Sequence, residues 1–167
     1  MRKIIFMGLS IFLLTGCGQK EYTLEEAITP DSTFGVNGNT SLDEIKSKLT
    51  LREVQPNIYV SNEALKPYKL FDKYTYVANK GKICSVQAKK IYDSVNSNEM
   101  RKDLSFLKDK ITSIYGDKAY KYTNHNASKW VNDLSNTIVL MSIEDKEENK
   151  STIGYSIFIG DCPAIEK

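Results

Sequence analysis

Apolar residues recur along the chain with two periods. Leu104, Leu107, Ile111 and Ile114 are spaced 3, 4 and 3 apart, which places them on one face of an α-helix. A helix is therefore predicted over 101–115, stopped by Gly116. Arg101, Lys102, Asp103, Lys108, Asp109 and Lys110 are part of its polar remainder, as expected of a helix lying on a sheet. A shorter helix is predicted to open at Thr40 or Ser41 and to end near Thr50. Ser41-x-x-Glu44 has capping-box spacing, and Leu42, Ile45 and Leu49 form an apolar stripe.

Elsewhere the period is two. Tyr74, Tyr76 and Ala78 alternate with Thr75 and Val77. Residues 79–82 read as a turn, and 83–88 as a second strand with Cys84, Val86 and Ala88 on one face. Tyr120 and Tyr122 sit in a short extended piece, Trp130 and Val131 start another strand, and 137–143 is rich in β-branched residues. The charged run 144–151 reads as a solvated turn. After it, Ile153, Tyr155, Ile157 and Ile159 alternate cleanly. Residues 51–67 carry only turn signals, at Pro56-Asn57 and Ser61-Asn62. The predicted class is α+β, an antiparallel sheet with helices packed on one face. Each half reads helix then strands, which is compatible with two related halves.

The N-terminus departs from both periods. Arg2 and Lys3 precede an apolar stretch from Ile4 to Leu14, followed by Leu14-Thr15-Gly16-Cys17. A basic tip before a short apolar run is a secretory signal rather than a spanning helix. The last four residues resemble a bacterial lipobox. The resemblance implies diacylglycerol transfer to the Cys17 thiol, cleavage after Gly16 and acylation of the new amino group. Two or three acyl chains, each buried CH₂ adding roughly 0.8 kcal/mol, would hold the protein on a bilayer. Gly18, rather than Asp, follows the cysteine, which implies the outer membrane where the host has one. The expected organisation is a signal peptide over 1–16, a lipidated tether over 17–33 and one domain over 34–167, with order beginning at Phe34-Gly35-Val36.

Charge then narrows the partners. The 167 residues carry 23 Lys+Arg and 21 Asp+Glu. Cleavage removes Arg2 and Lys3 but no acid, so the mature 151 residues hold 21 of each sign. A chain without basic excess is a poor nucleic-acid binder, and export makes nucleic acid less apt still. Once Cys17 is acylated, Cys84 and Cys162 remain, and an even pair in an oxidising compartment reads first as a disulfide. For the loop they would close, chain entropy gives roughly 4–5 kcal/mol. Free thiols or a redox pair are the rivals, though no Cys-x-x-Cys supports redox work.

Chemistry is sparse. The single histidine, His125, lies in the polar run Asn124-His125-Asn126, and a Ser-His-Asp or Cys-His site would have to use it. No phosphate-binding glycine loop or His-Glu-x-x-His motif occurs, so no catalytic residue, metal or cofactor is assigned. Asp31, Asp43, Glu44, Asp103 and Asp109 could supply paired carboxylates. Asp43, Glu44 and Asp103 stand near helix starts, where acids are favoured anyway. Tyrosine is in excess, at 10 against 6 Phe and 1 Trp. A ring that packs while its hydroxyl stays wet suits both interfaces and sheet rims. The candidate interface residues are Tyr74, Tyr76, Tyr120, Tyr122, Trp130 and Tyr155, with Lys118, Lys121 and Lys129 as basic neighbours.

Phe34-Gly35-Val36-x-Gly38 and Ser41-Leu42-x-x-Ile45-x-x-x-Leu49 resemble the β-lactamase-inhibitor-like fold and the small outer-membrane-assembly lipoproteins that share it. The family often ends this segment in Leu-Gly, where this chain has Leu49-Thr50. The resemblance implies binding or assembly rather than chemistry. The expected function is a membrane-anchored, non-enzymatic module that binds another envelope protein. A small envelope hydrolase and a ligand-binding or structural lipoprotein are the alternatives. Intact mass without reductant is expected to show Cys84 and Cys162 oxidised; two free thiols would refute the bridge.

Overall fold

The computed structural model describes residues 20–95, 97–116, 120–122, 127–131, 136–159 and 162, with 120–122 described as backbone. Cys17 and His125 lie outside them. Helices α1 (Leu24–Ala27), α2 (Leu42–Lys48) and α3 (Asn98–Tyr115) accompany a small hairpin, β1 (Ile28–Thr29) and β2 (Ser32–Thr33). The main sheet contains β3 (Arg52–Gln55), β4 (Ile58–Ser61), β5 (Lys73–Asn79), β6 (Lys82–Tyr92), β7 (Tyr120–Tyr122), β8 (Ala127–Val131), β9 (Thr137–Asp145) and β10 (Lys150–Phe158). These eight strands pair antiparallel in the order β3-β4-β5-β6-β10-β9-β8-β7. The class is α+β, and strands outweigh helices.

Local chemistry accounts for the elements. Ser41 Oγ accepts from the Glu44 N–H at 3.1 Å, while the Glu44 carboxylate pairs with Lys48 at 2.7 Å. The full reciprocal box is instead at α1, where Thr23 Oγ1 and the Glu26 carboxylate each bond the other's backbone N–H. Ser97 caps α3, and Gly116, at φ +82°, ends it as expected. Asn57, at φ +65°, turns β3 into β4, two short strands where the sequence showed only turn signals. Trp130 and Val131 end β8 rather than start a strand.

One row of residues crosses six strands on the buried side: Tyr59, Tyr76, Val86, Ile157, Ile138 and Trp130 are successive register partners. All six belong to one core cluster with Leu24 and Ala27 of α1, Ile45 of α2, and Met100, Leu107 and Ile111 of α3. A β-bulge modifies the expected alternation. Val77 pairs with Ser85 but Ala78 pairs with Ile83, leaving Cys84 as the extra residue. Ile83 joins the core cluster and Cys84 does not. Cys84 instead bonds Cys162, with the Cα atoms 5.3 Å apart.

The predicted tether needs correction. Residues 22–33 are part of the domain: Leu24, Ala27 and Ile28 are buried, and Tyr22 bridges to Tyr68. Phe34 follows, its ring making edge-to-face contacts with Phe71, Tyr74 and Tyr155 at centroid distances of 5.1–5.6 Å. Such pairs are worth about 0.5–1.5 kcal/mol each beyond area burial. Phe34 and Gly35 are both left-handed, at φ +52° and +83°. A Cβ on Gly35 would stand 2.6 Å from Leu65 Cβ.

The tyrosines are the second correction. Tyr74, Tyr76, Tyr155 and Trp130 are at most 1% exposed and cannot form a surface. Their alternation faces the core cluster, where Phe34 packs against Tyr74 and Tyr155. Tyrosine suits that position because each hydroxyl reaches a partner. Tyr74 donates to the Tyr68 carbonyl and accepts from its N–H. Tyr76 donates to the Glu63 carbonyl, and Tyr155 shares a bond with Thr33 Oγ1 at 3.5 Å. Burial pushes the Tyr74 hydroxyl up to about 12. Burial also raises Tyr76 and Tyr155, and Tyr115 beside them.

Gly35→Ala is expected to cost about 1–3 kcal/mol, since backbone strain and the Leu65 clash add. Gly116→Ala has open space around it and should cost less, about 1 kcal/mol. Denaturant melts of the two variants check the order. Alkali supplies a second test. The raised tyrosines keep their protons in the folded state, whereas the unfolded chain releases them near pH 10. Their stabilisation is therefore complete below pH 10 and declines as pH rises from there through about 12, where Tyr74 titrates when folded. The slope is about 1.4 kcal/mol per pH unit for each such tyrosine. Tyrosinate absorbance should show the buried set ionising cooperatively with unfolding; smooth ionisation of every tyrosine in an intact fold would contradict it.

Candidate interaction face

The residues between the buried ones point to the other side of the sheet. One register row there runs Val60, Thr75, Gln87, Ser156, Val139 and Lys129. Its neighbours run Lys89, Gly154, Met141 and Ala127, and Ile91, Thr152 and Ile143. Val139, Met141 and Phe158 are half-buried, and Ile143 is 57% exposed. Together with Thr75, Gln87, Lys89, Asp145 and Thr152 they line a depression of about 500 Å³.

Gly154 gives this depression its floor. It lies mid-strand opposite Met141, and a Cβ there would come within 3.3 Å of Met141 Cγ. Glycine inside a strand often marks a close approach of this kind. Met141 therefore lies across the central strand with Val139 and Ile143 along its own. An antiparallel sheet with one solvated face ordinarily carries polar residues there. Here β9 instead carries an apolar strip, Val139, Met141 and Ile143, next to the polar Gln87, Lys89 and Ser156, and a half-exposed apolar strip of this kind is a candidate binding patch.

Tyr120 and Tyr122 are the remaining members of the tyrosine set. They occupy β7, in register with Lys129 and Ala127, at the end of two of these rows. The pairing thus separates the six predicted interface residues: four in the core, two in the edge strand β7. Sequence reasoning missed Val139, Met141 and Ile143. The signal was present in Thr137-Ile-Val-Leu-Met-Ser-Ile143, whose apolar residues fill both alternation sets. Such a strand is apolar on both faces.

The candidate acids resolve into ordinary roles. Glu44 is paired within α2, and Asp31, Asp43 and Asp109 are exposed. Asp103 belongs to a charged knot between α3 and β6. Tyr92 donates to Asp103 Oδ2 at 2.7 Å, and Lys90 Nζ lies 3.0 Å from Glu99 and 3.6 Å from Asp103. Burial disfavours the Lys90 charge, but the two carboxylates outweigh it and raise its pKa. Burial, then the Asp103 hydrogen bond, raises Tyr92. The two carboxylates favour the charged Lys90 and the neutral Tyr92, and these contacts fasten α3 to β6. Among the described residues, no group of three His, Cys, Asp or Glu side chains is placed to hold a metal. No helix among them is long and apolar enough to cross a membrane.

Comparison with protein-family models, curated proteins and solved structures finds no match to this chain.

Proposed function

We propose that the chain is a lipid-anchored bacterial envelope protein that binds another protein through the second face of its sheet, without catalysis. The observation that carries this reading is the apolar strip of Val139, Met141 and Ile143 along β9, continued by Phe158 of β10, beside the polar Thr75, Gln87 and Lys89. Apolar side chains left facing water cost free energy that a partner's surface would recover. Methionine at the middle suits a contact that must adapt its shape.

The architecture supports the same reading. In it, the helices pack on the tyrosine-bearing face and leave the other open. The chain runs α2 then β3–β6, and α3 then β7–β10, and the two sets meet at β6 and β10. This order fits two related halves and the β-lactamase-inhibitor-like resemblance. The lipobox resemblance at Leu14-Thr15-Gly16-Cys17 supplies the anchor. With Gly18 next, the outer membrane is the expected site where the host has one. A depression of about 500 Å³ also falls within the range of small-molecule sites, so a small ligand is the second reading.

Crosslinked capture of the acylated protein from its own membranes tests the proposal. One stoichiometric protein partner is expected. Met141→Lys should weaken its capture tenfold or more, the scale of a central contact worth about 1.4 kcal/mol or above. Stability should change by only about 0.5 kcal/mol, since the site is on the surface. Val54→Lys, on the edge strand β3 outside the depression, should leave capture intact. Capture that Met141→Lys leaves unchanged would refute this face as the binding surface.

A further inference from the structure

The geometry points to a second surface, one that meets the lipid bilayer itself. The inference rests on the lipid-anchored reading above. If Cys17 carries the acyl chains, three residue steps separate it from Lys20, the first described residue. Fully extended, they span about 11 Å. The chain is part of the domain almost at once. Tyr22 pairs with Tyr68, Thr23 closes the capping box, and Leu24 is 2% exposed. So short a leash leaves the domain little freedom to turn. Tyr22 is five residue steps from Cys17, at most about 18 Å, so what surrounds it must lie within roughly two nanometres of the point where the lipid enters the membrane.

What surrounds it suits that position. Tyr22, Tyr68 and Phe106 line a groove of about 430 Å³ with Lys69 and Lys110 at its edge. Phe106 is 43% exposed on the outer side of α3, with Lys110 Nζ 5.9 Å from its ring centre. Lys20 Nζ lies 4.9 Å over the Tyr22 ring. Aromatic rings flanked by long basic side chains are the anchors found at headgroup depth. The charge there is nearly balanced. Lys110 pairs with Glu25 at 2.6 Å, which also lowers the Glu25 pKa, and Glu21 offsets Lys20. Contact is therefore made by the rings and does not need anionic lipid. Tyr22 and Phe106 rest among the headgroups, the helical side of the domain faces the bilayer, and the face bearing Met141 and Ile143 points away from it.

The test uses the full acylated chain in phosphatidylcholine vesicles with brominated acyl chains, which quench nearby tryptophan. Native Trp130 is buried and gives the constant background. Phe106→Trp should lose its added emission, and Ile143→Trp should keep it. Tyr22→Trp is a second reporter should Phe106→Trp perturb α3. Equal quenching at both faces, quenching at neither, or quenching that appears only when phosphatidylglycerol is added would overturn the proposal while leaving the anchor intact. A chain that lacks the diacylglycerol mass and fails to float with vesicles would remove the anchor, and this inference with it.

Discussion

The pairing of β6 with β10 is the contact on which the rest of the sheet depends. Eight register pairs, from Tyr92 with Ser151 to Ser85 with Phe158, join the strands. Ile159 N–H donates to the Cys84 carbonyl at 2.7 Å just beyond them, and the Cys84–Cys162 bridge closes the same end. Each strand is the inner edge of a four-stranded meander, so without this seam both meanders would expose a long strand edge open to unwanted pairing. The partners lie some sixty residues apart, so the seam is a non-local contact whose loop entropy opposes its formation. A covalent link at one end reduces that cost in the unfolded chain. The bulge at Cys84 makes both arrangements compatible. It sends Ile83 into the core while leaving Cys84 free to bond Cys162.

With the seam in place, the two faces of the sheet take on different work. The buried face is built from aromatic rings whose hydroxyls end on backbone carbonyls or on Thr33, so tyrosine there supplies both volume and hydrogen bonds. The opposite face is paved by smaller residues, Thr75, Gln87, Ser156 and Gly154, along the inner strands. The flexible side chain of Met141 lies over the glycine. Beside these smaller residues, Val139, Met141 and Ile143 form an apolar strip along β9. A partner would find a shallow, pre-formed depression, with the ordering entropy already supplied by the seam.

Much of this architecture was legible in the sequence. The 3-4-3 spacing of α3, the stop at Gly116, the hairpin turn at Lys80-Gly81 and the final strand all rest on local periodicity, and all are present. The cysteine pair was legible from parity together with the expectation of export. Two readings failed for a shared reason. Polar composition over 18–33 reads as a tether, yet Leu24, Ala27, Ile28 and then Phe34 are enough apolar residues to pin it to the sheet. With that segment read as a tether, nothing in the sequence covers the tyrosine face, and Tyr74, Tyr76 and Tyr155 read as an interface. Alternation tells which residues share a face. It does not tell which face the rest of the chain covers, because that is a tertiary fact. β3 escaped notice because every one of its residues is exposed, which leaves no apolar rhythm to read; the alternation of β4 is only four residues long, with Tyr59 and the polar Ser61 on its buried side.

Site-specific photocrosslinking in the native membrane tests the central claim most directly. A photoreactive residue is placed in turn at Ile143, at Phe106 and at Val54. The account predicts one protein adduct of defined mass from Ile143 and none from Val54, with lipid adducts from Phe106. Protein adducts from Val54 or Phe106 together with none from Ile143 would contradict it.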